Sequence, residues 1–341
     1  MPTPFDPDHA LGEGVYGLTH TPEEAAVVLI PVPFEATCSF GTGTAGAPRA
    51  ILQASPHIDL LDRLAGRPYE RGIAMLPVEP ELERLNQEAR ALAVPVIEAG
   101  GPGEDRQLRR RVARVNHLCA EMNEWVGRTA GFWRERGKLV GIVGGDHSVP
   151  FGAIGEAARE HPGMGILHVD AHSDLRDAFE GFTWSHASIM WNVIERLPGV
   201  KRLVQVGIRD YCDQELALAE ESGRVGIHFD ADLQERLLDG EAWGKIASEI
   251  VEELPREVYL SVDVDGLDPA LCPHTGTPIP GGLTYPQVVR LMKDVVDTGR
   301  RIVGFDLVEV APDPTGATRV DVVTAAKLLY VMAGFGVMSR G

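Results

Sequence analysis

The sequence predicts an α/β fold, a mostly parallel β-sheet with helices on both faces. Three observations carry that prediction. Apolar, β-branched runs of strand length recur along the chain. Most are continuously apolar, the pattern of strands covered on both faces. Segments with helical periodicity lie between them, so strand and helix alternate as parallel crossover units require. The strand candidates are residues 25–32 (AAVVLIPV), 138–145 (KLVGIVGG), 164–172 (MGILHVDAH), 201–209 (KRLVQVGIR), 256–265 (REVYLSVDVD) and 301–310 (RIVGFDLVEV). The helix candidates are residues 104–136, 150–160, 241–254, 284–299 and 319–335. There is no fixed-period repeat and no Pro/Gly/Ser-rich linker. The best loop candidate, 95–105 (PVIEAGGPGED), lies between elements that fit one sheet. The chain is therefore read as a single domain over 1–341, with 1–24 an N-terminal extension ahead of the first strand.

Composition narrows the class. With 341 residues, 44% hydrophobic and 24% charged, the chain has room for one large α/β domain with a substantial core. No stretch approaches about 18 consecutive apolar residues, so no membrane span is expected. The first twenty residues lack the basic start and apolar block of a secretory leader. Cys38, Cys119, Cys212 and Cys272 lie far apart without a CxxC pair, and are read as reduced thiols of a cytoplasmic protein. A net charge of −18 repels nucleic acid and anionic lipid. It agrees with a metal or a cationic substrate without demanding either.

The polar residues cluster where strands end. GGDHS (144–148) follows one strand candidate, HVDAHSDLR (168–176) closes a second and DVD (263–265) a third. Open parallel sheets bind ligands at the carboxyl ends of their strands. In an extended segment residues i, i+2 and i+4 share a face, so Asp170, His172 and Asp174 converge, as do Asp263 and Asp265. His147 comes from the GGDHS turn. Taken singly, each motif has a duller reading, GGDHS being a tight turn whose Asp146 caps the next helix. Together they place carboxylates at a buried edge with no basic residue inside the motifs before Arg176. Buried carboxylates need partners, and metal ions supply them. Two imidazoles and four carboxylates exceed one tetrahedral site but suit two ions if some carboxylates bridge. An oxygen-rich set favours Mn²⁺, and paired ions lower the pKa of a shared water toward neutrality.

GGDHS, DAHSD (170–174) and SVDVDGLDP (261–269) resemble the three signatures of the ureohydrolase family, which includes arginase and agmatinase. The resemblance extends over roughly residues 25–335. It takes in the glycine-rich segment 32–51 (VPFEATCSFGTGTAGAPRAI), the loop 274–283 (HTGTPIPGGL) and the glutamate motif VEVAP (308–312). It implies a three-layer α/β/α sandwich of arginase-like type and two Mn²⁺ per chain. His147 and Asp174 would bind one ion, His172 and Asp265 the other, with Asp170 and Asp263 bridging. Asp174 would also orient the nucleophile. The implied reaction hydrolyses a small guanidino compound to urea and an amine. Glu309 matches the family residue that anchors the guanidinium, and a carboxylate accepts that planar fork bidentately. His186, in TWSHAS, matches the loop histidine that protonates the leaving amine. The family also implies trimers or hexamers; the acidic charge already argues against nucleic acid or membrane as partner.

The loop 174–188 (DLRDAFEGFTWSHAS) resembles the short loop of agmatinase-like members and lacks the Asn- and Ser/Thr-rich loop of arginases. Agmatine, giving putrescine and urea in polyamine biosynthesis, is therefore the first expectation. Trp184 and Phe182 either line the tail pocket or pack the loop. Arg176, near the mouth, would disfavour a second cation and welcome a carboxylate unless it pairs with Asp177 or Glu180. 4-Guanidinobutyrate, whose carboxylate Arg176 would welcome, is therefore one alternative. Arginine is another, because GIRDYCDQE (207–215), with Asp210 and Asp213, resembles the region where arginases hold an α-amino group. A deacetylase-like amidohydrolase would leave His147 and Asp265 without a task. A non-catalytic binding protein would not need His186 and Glu309.

Overall fold

The protein is described here by a computed structural model covering residues 12–341. The strands are β1 (Val27–Val32), β2 (Ile73–Met75), β3 (Leu139–Gly144), β4 (Met164–Val169), β5 (Val200–Ile208), β6 (Val225–Phe229), β7 (Glu257–Asp263) and β8 (Arg301–Val308). They form one sheet in the order β2-β1-β3-β8-β7-β4-β5-β6. Every pairing is parallel. The helices are α1 (Ala47–Ala54), α2 (Pro80–Glu98), α3 (Arg106–Arg134), α4 (Phe151–Glu160), α5 (Ile189–Arg196), α6 (Asp213–Ser222), α7 (Asp230–Leu238), α8 (Trp243–Glu252), α9 (Tyr285–Asp297) and α10 (Val320–Met338).

The continuously apolar strands have the cause that the sequence suggests. In β1, Val27 and Leu29 join the core beneath α1 and α10, while Val28, Ile30 and Val32 join the core beneath α2 and α3. Successive side chains enter opposite layers, so every position is apolar. In β4, Leu167 and Val169 face one layer while Met164 and Ile166 pack with α5 on the other. The result is the expected helix–sheet–helix sandwich.

Several elements differ from the sequence reading. The edge strands β2 and β6 were not anticipated, because three- and five-residue runs carry too little pattern to stand out. Helices α1, α2, α5, α6 and α7 fill stretches left unassigned. The loop candidate 95–105 begins inside α2, which carries Pro95 and buries Val96 before ending at Glu98. Helix α3 starts where Asp105 accepts the backbone N–H groups of Gln107 and Leu108, a side-chain cap.

Helix α10 is long and apolar enough to cross a membrane, with a mean hydropathy of 1.6, yet 72% of that stretch is buried inside the fold. A helix that is hydrophobic all round is the expected core element. Of the proposed extension 1–24, residues 1–11 lie outside the described residues. Within the remainder Val15, Tyr16, Gly17 and Leu18 are buried, and the Tyr16 hydroxyl donates to Ala326 O of α10 at 2.9 Å.

The sheet order positions the chemistry. Strands β3, β8, β7 and β4 are consecutive neighbours at its centre. Their carboxyl ends lead directly into Asp146–His147, Glu309, Asp263–Asp265 and Asp170–Asp174.

Candidate metal centre

His147 is held by its turn and by its neighbours. At Gly145 a Cβ would stand 1.9 Å from Phe34 O, so only glycine lets the chain turn there. The His147 N–H donates to Glu309 Oε1 at 2.8 Å. Asp146 does not cap α4; it accepts the Ser148 N–H at 3.1 Å within the turn, and α4 starts after Pro150 without a side-chain cap.

The tautomer of His147 follows from its surroundings. Ser261 Oγ lies 3.0 Å from His147 Nε2 and donates to Asp306 Oδ1 at 2.9 Å. A hydroxyl has one proton, so Nε2–H must donate to Ser261. Nδ1 then faces the carboxylates, 3.0 Å from Asp170 Oδ2 and 3.3 Å from both Asp174 Oδ2 and Asp263 Oδ2. Burial opposes a second proton on the ring. The side chains of Asp170, Asp174 and Asp263 outweigh it and hold the pKa well above the usual value. The proton stands where a cation would.

A second group sits beside the first. His172 Nδ1 is 3.0 Å from Asp265 Oδ2 and 3.5 Å from Asp170 Oδ1. Two sets result, His147–His168–Asp170–Asp174 and Asp170–His172–Asp265, each with its donor atoms within 4.8 Å of one another. Asp170 belongs to both. Asp263 lies against the first set, its Oδ1 accepting the Asp265 N–H at 2.8 Å, but neither tight set includes it.

The charge balance tests the fit to metal ions. Asp146, Asp170, Asp174, Asp263, Asp265 and Glu309 are all buried. Among the described residues none of them forms an ion pair with lysine or arginine. Desolvation first, then the charge of Asp170, pushes Asp174 up to about 7. Desolvation, then Asp265 and Asp170, likewise raises Asp263. Such a carboxylate-rich set, with imidazoles but no thiolate, fits two hard or borderline divalent cations. Asp174 and Glu309 also hold left-handed backbone, at φ 55° and 63°, a conformation costly for non-glycine residues and typical of functional positions.

A cavity of about 190 Å³ opens onto this floor, lined among others by His172, Asp174, Arg176, His186, Asp210 and Glu215. A narrower slot beside it is lined by Cys38, Ser39, His186, Gly276, Thr277 and Glu309. Glu309 Oε2 is buried there without a hydrogen-bond partner among the described residues. A Cβ at Gly276 would stand 2.6 Å from that oxygen, so the glycine keeps its approach open. His186, half-buried, has Nδ1 3.3 Å from Thr37 Oγ1. Desolvation, then the charges of His172 and His147, pulls its pKa down to about 3, leaving a neutral imidazole.

The rim residues separate. Arg176 lines the cavity but pairs with neither Asp177 nor Glu180. Its Nε lies 3.7 Å from Glu215 Oε2, and its guanidinium lies 5.4 Å from the Phe179 ring. Asp210 is more than half exposed, 3.7 Å from His172 Nε2. Trp184 packs edge-on against Phe151 at 4.9 Å with Arg196 over its ring, outside the residues lining the cavity. Phe182 is fully buried in the core, and Asp213 is exposed at the start of α6.

Sequence reasoning missed His168, Gln205, Ser261 and Asp306, all buried. For His168 a signal existed, since it precedes Asp170 and His172 at the same alternate spacing. The others are isolated polar residues between apolar neighbours in their strands and give none.

Residues 25–334 match the family described as the arginase family. The chain is 36% identical over 331 residues to N(1)-aminopropylagmatine ureohydrolase of Thermus thermophilus, covering 96% of each chain. It is 28% identical over 294 residues to agmatinase of Bacillus anthracis, covering 85% of each. The solved agmatine ureohydrolase of Thermoplasma volcanium superposes with a TM-score of 0.73 at 25% identity, covering 96% of this chain and 95% of that one.

Proposed function

The chain belongs to the arginase family and is a hydrolase of guanidino C–N bonds, and from that premise we propose that it hydrolyses N(1)-aminopropylagmatine to urea and the corresponding polyamine, using two Mn²⁺. The observation that carries the guanidine reading is the unpartnered Glu309 Oε2, buried in a slot shared with His186 beside the carboxylate floor. A guanidinium is a permanently charged planar fork of donors and fits a lone buried carboxylate oxygen.

His147, Asp170, His172, Asp174, Asp263 and Asp265 would hold the ions, which supply Lewis acidity and a water acidified toward neutral pH. The protein's own groups do the rest. Glu309 fixes the guanidinium carbon, and its Oε1 is itself fixed by the His147 N–H. Asp174, strained into place, accepts a hydrogen bond from the attacking water and sets its direction. His186 is kept neutral by burial, with Nδ1 beside Thr37 and Nε2 left for the proton. It takes up a proton as attack proceeds and returns it to the leaving amine.

Two observations support the longer tail over agmatine. The likeness to the Thermus enzyme is greater and covers more of both chains. Asp210 stands exposed at the mouth, where a further ammonium would emerge, while Arg176 is paired to Glu215. Urea release by Mn²⁺-loaded protein from N(1)-aminopropylagmatine, agmatine, arginine and 4-guanidinobutyrate tests this. The expected order of kcat/KM follows that sequence for the first two, with the others far lower. A preference for agmatine would return the substrate to the shorter amine, and a preference for 4-guanidinobutyrate would overturn the cationic tail.

A further inference from the structure

Beneath the ligand carboxylates runs a row of buried polar residues. The strand register pairs Asp306 of β8 with Ser261 of β7, Ser261 with His168 of β4, and His168 with Gln205 of β5. All four are fully buried, and their immediate neighbours along each strand are apolar. A desolvated polar row across a sheet is costly unless fully satisfied. One half of this row, Asp306–Ser261, orients His147. The other half contains His168, which also lies close enough to His147, Asp170 and Asp174 to be taken for a metal ligand.

The hydrogen bonds decide between ligand and support. The Ser173 carbonyl can only accept, and Gln205 Nε2 lies 2.6 Å from it. That nitrogen is therefore the amide NH₂. Ser173 Oγ donates to Gln205 Oε1 at 2.9 Å, which fixes the same orientation from the other end. Gln205 Nε2 also lies 3.0 Å from His168 Nδ1, so Nδ1 accepts and the ring proton sits on Nε2. Nε2–H then donates to Asp170 Oδ2 at 2.8 Å. Both ring nitrogens are occupied, and no lone pair is left for an ion.

We propose that His168 is a positioning residue for Asp170, locked as a donor by Gln205 and Ser173, and not a metal ligand. A carboxylate offers about four lone-pair sites over its two oxygens. His168 takes one on Oδ2, and the His172 N–H takes one on Oδ1 at 2.6 Å. One site on each oxygen remains, directed to the two neighbouring groups. The device would thus leave Asp170 free to hold ions in both groups, with His168 and the His172 N–H fixing its orientation. This rests on the two-metal reading of the site.

The test is calorimetric titration of metal-free full-length protein with Mn²⁺ alone, with metal analysis after dialysis. His168→Met keeps bulk but removes the donor, and His168→Gln offers an amide N–H in its place. Gln205→Leu releases the tautomer and leaves His147, Asp170, His172, Asp174, Asp263 and Asp265 in place. Wild type is expected to take two ions per chain. His168→Met should weaken both together by about 10–100-fold, the usual effect of losing a hydrogen bond behind a ligand. Gln205→Leu should weaken both by a smaller factor, and His168→Gln should restore most of the loss. If His168→Met fails to fold, Gln205→Leu carries the test. Two ions bound with unchanged affinity in His168→Met or Gln205→Leu would overturn the role of His168 alone. Loss of one ion with the other untouched, in both His168 variants, would make it a ligand. A wild type that binds fewer than two ions would overturn the two-metal reading and this inference with it.

Discussion

Two sets of carboxylates in this molecule face opposite situations. On the surface of α7 and α8, Arg236 lies 2.6 Å from Glu241 and 2.6 Å from Glu249, and Lys245 lies 2.6 Å from Glu241. Hydrogen bonds from Arg236 and then Lys245 draw Glu241 down to about 2. At the sheet's carboxyl edge, Asp170, Asp174, Asp263, Asp265 and Glu309 are buried and, among the described residues, have no lysine or arginine partner. There desolvation drives Asp174 and Asp263 upward. The surface set is saturated with cations that solvent screens, so each pair matters little. The buried set is offset by histidine protons alone, with no lysine or arginine among the described residues, and each member matters greatly. A chain that folds this way has reserved the place for cations from outside.

That contrast orders the expected effects of mutation. The largest belongs to Asp170, the carboxylate common to both ligand sets. Asp170→Ala is expected to remove both metals and all urea release, read by elemental analysis and assay of the same sample. A variant that keeps either full occupancy or activity would break the contrast at its centre. Next comes His186→Ala, expected to lower kcat by roughly 10²–10⁴-fold, the range of general acid–base catalysis, with metal content intact. Glu309→Gln follows. It should lower kcat/KM by about 10²-fold or more, because a desolvated charge pair loses one member and the guanidinium loses its alignment. Loss of metal in that variant would mean that Glu309 is a ligand and not an anchor.

The pH dependence of the metal-free protein sharpens the same point. Asp174 has a folded pKa of about 7 against an ordinary 3.8. The folded chain therefore keeps a proton that the unfolded chain releases, and stability should fall as pH rises across that interval. Mn²⁺ displaces the proton, so the rise in melting temperature on adding metal should grow over the same interval. Thermal melts with and without Mn²⁺ between pH 4 and 8, spanning roughly that interval, read both slopes. A metal effect independent of pH would contradict a protonated cluster. The smallest effect belongs to the surface set. Glu241→Gln is expected to leave melting temperature and urea release unchanged within error.

Much of this arrangement is legible in the sequence, and what is not has a physical reason. Continuous apolar runs announced the central strands, because burial on both faces leaves no polar period to confuse. Asp170, His172 and Asp174 announced themselves by alternation, and the structure brings them to the same edge as His147. The edge strands β2 and β6 escaped because a strand of three or five residues has no period to read. The Ser261–Asp306 pair escaped for a different reason. Each is one polar residue in an apolar strand, and only the adjacency of β7 and β8 gives them a common purpose. The partner of Arg176 escaped likewise, since Glu215 lies beyond a whole strand. For Trp184 the loop position left lining and packing both open, and the structure places its ring edge-on against Phe151.

The whole arrangement turns on Asp170 being shared by two cations at the meeting of four strand ends. Anomalous X-ray diffraction from crystals grown with Mn²⁺ would show it. Two anomalous peaks are predicted per chain. One should lie beside His147 and Asp174, the other beside His172 and Asp265, each in contact with a different oxygen of Asp170. A single peak, or a second peak that does not touch Asp170, would contradict the claim.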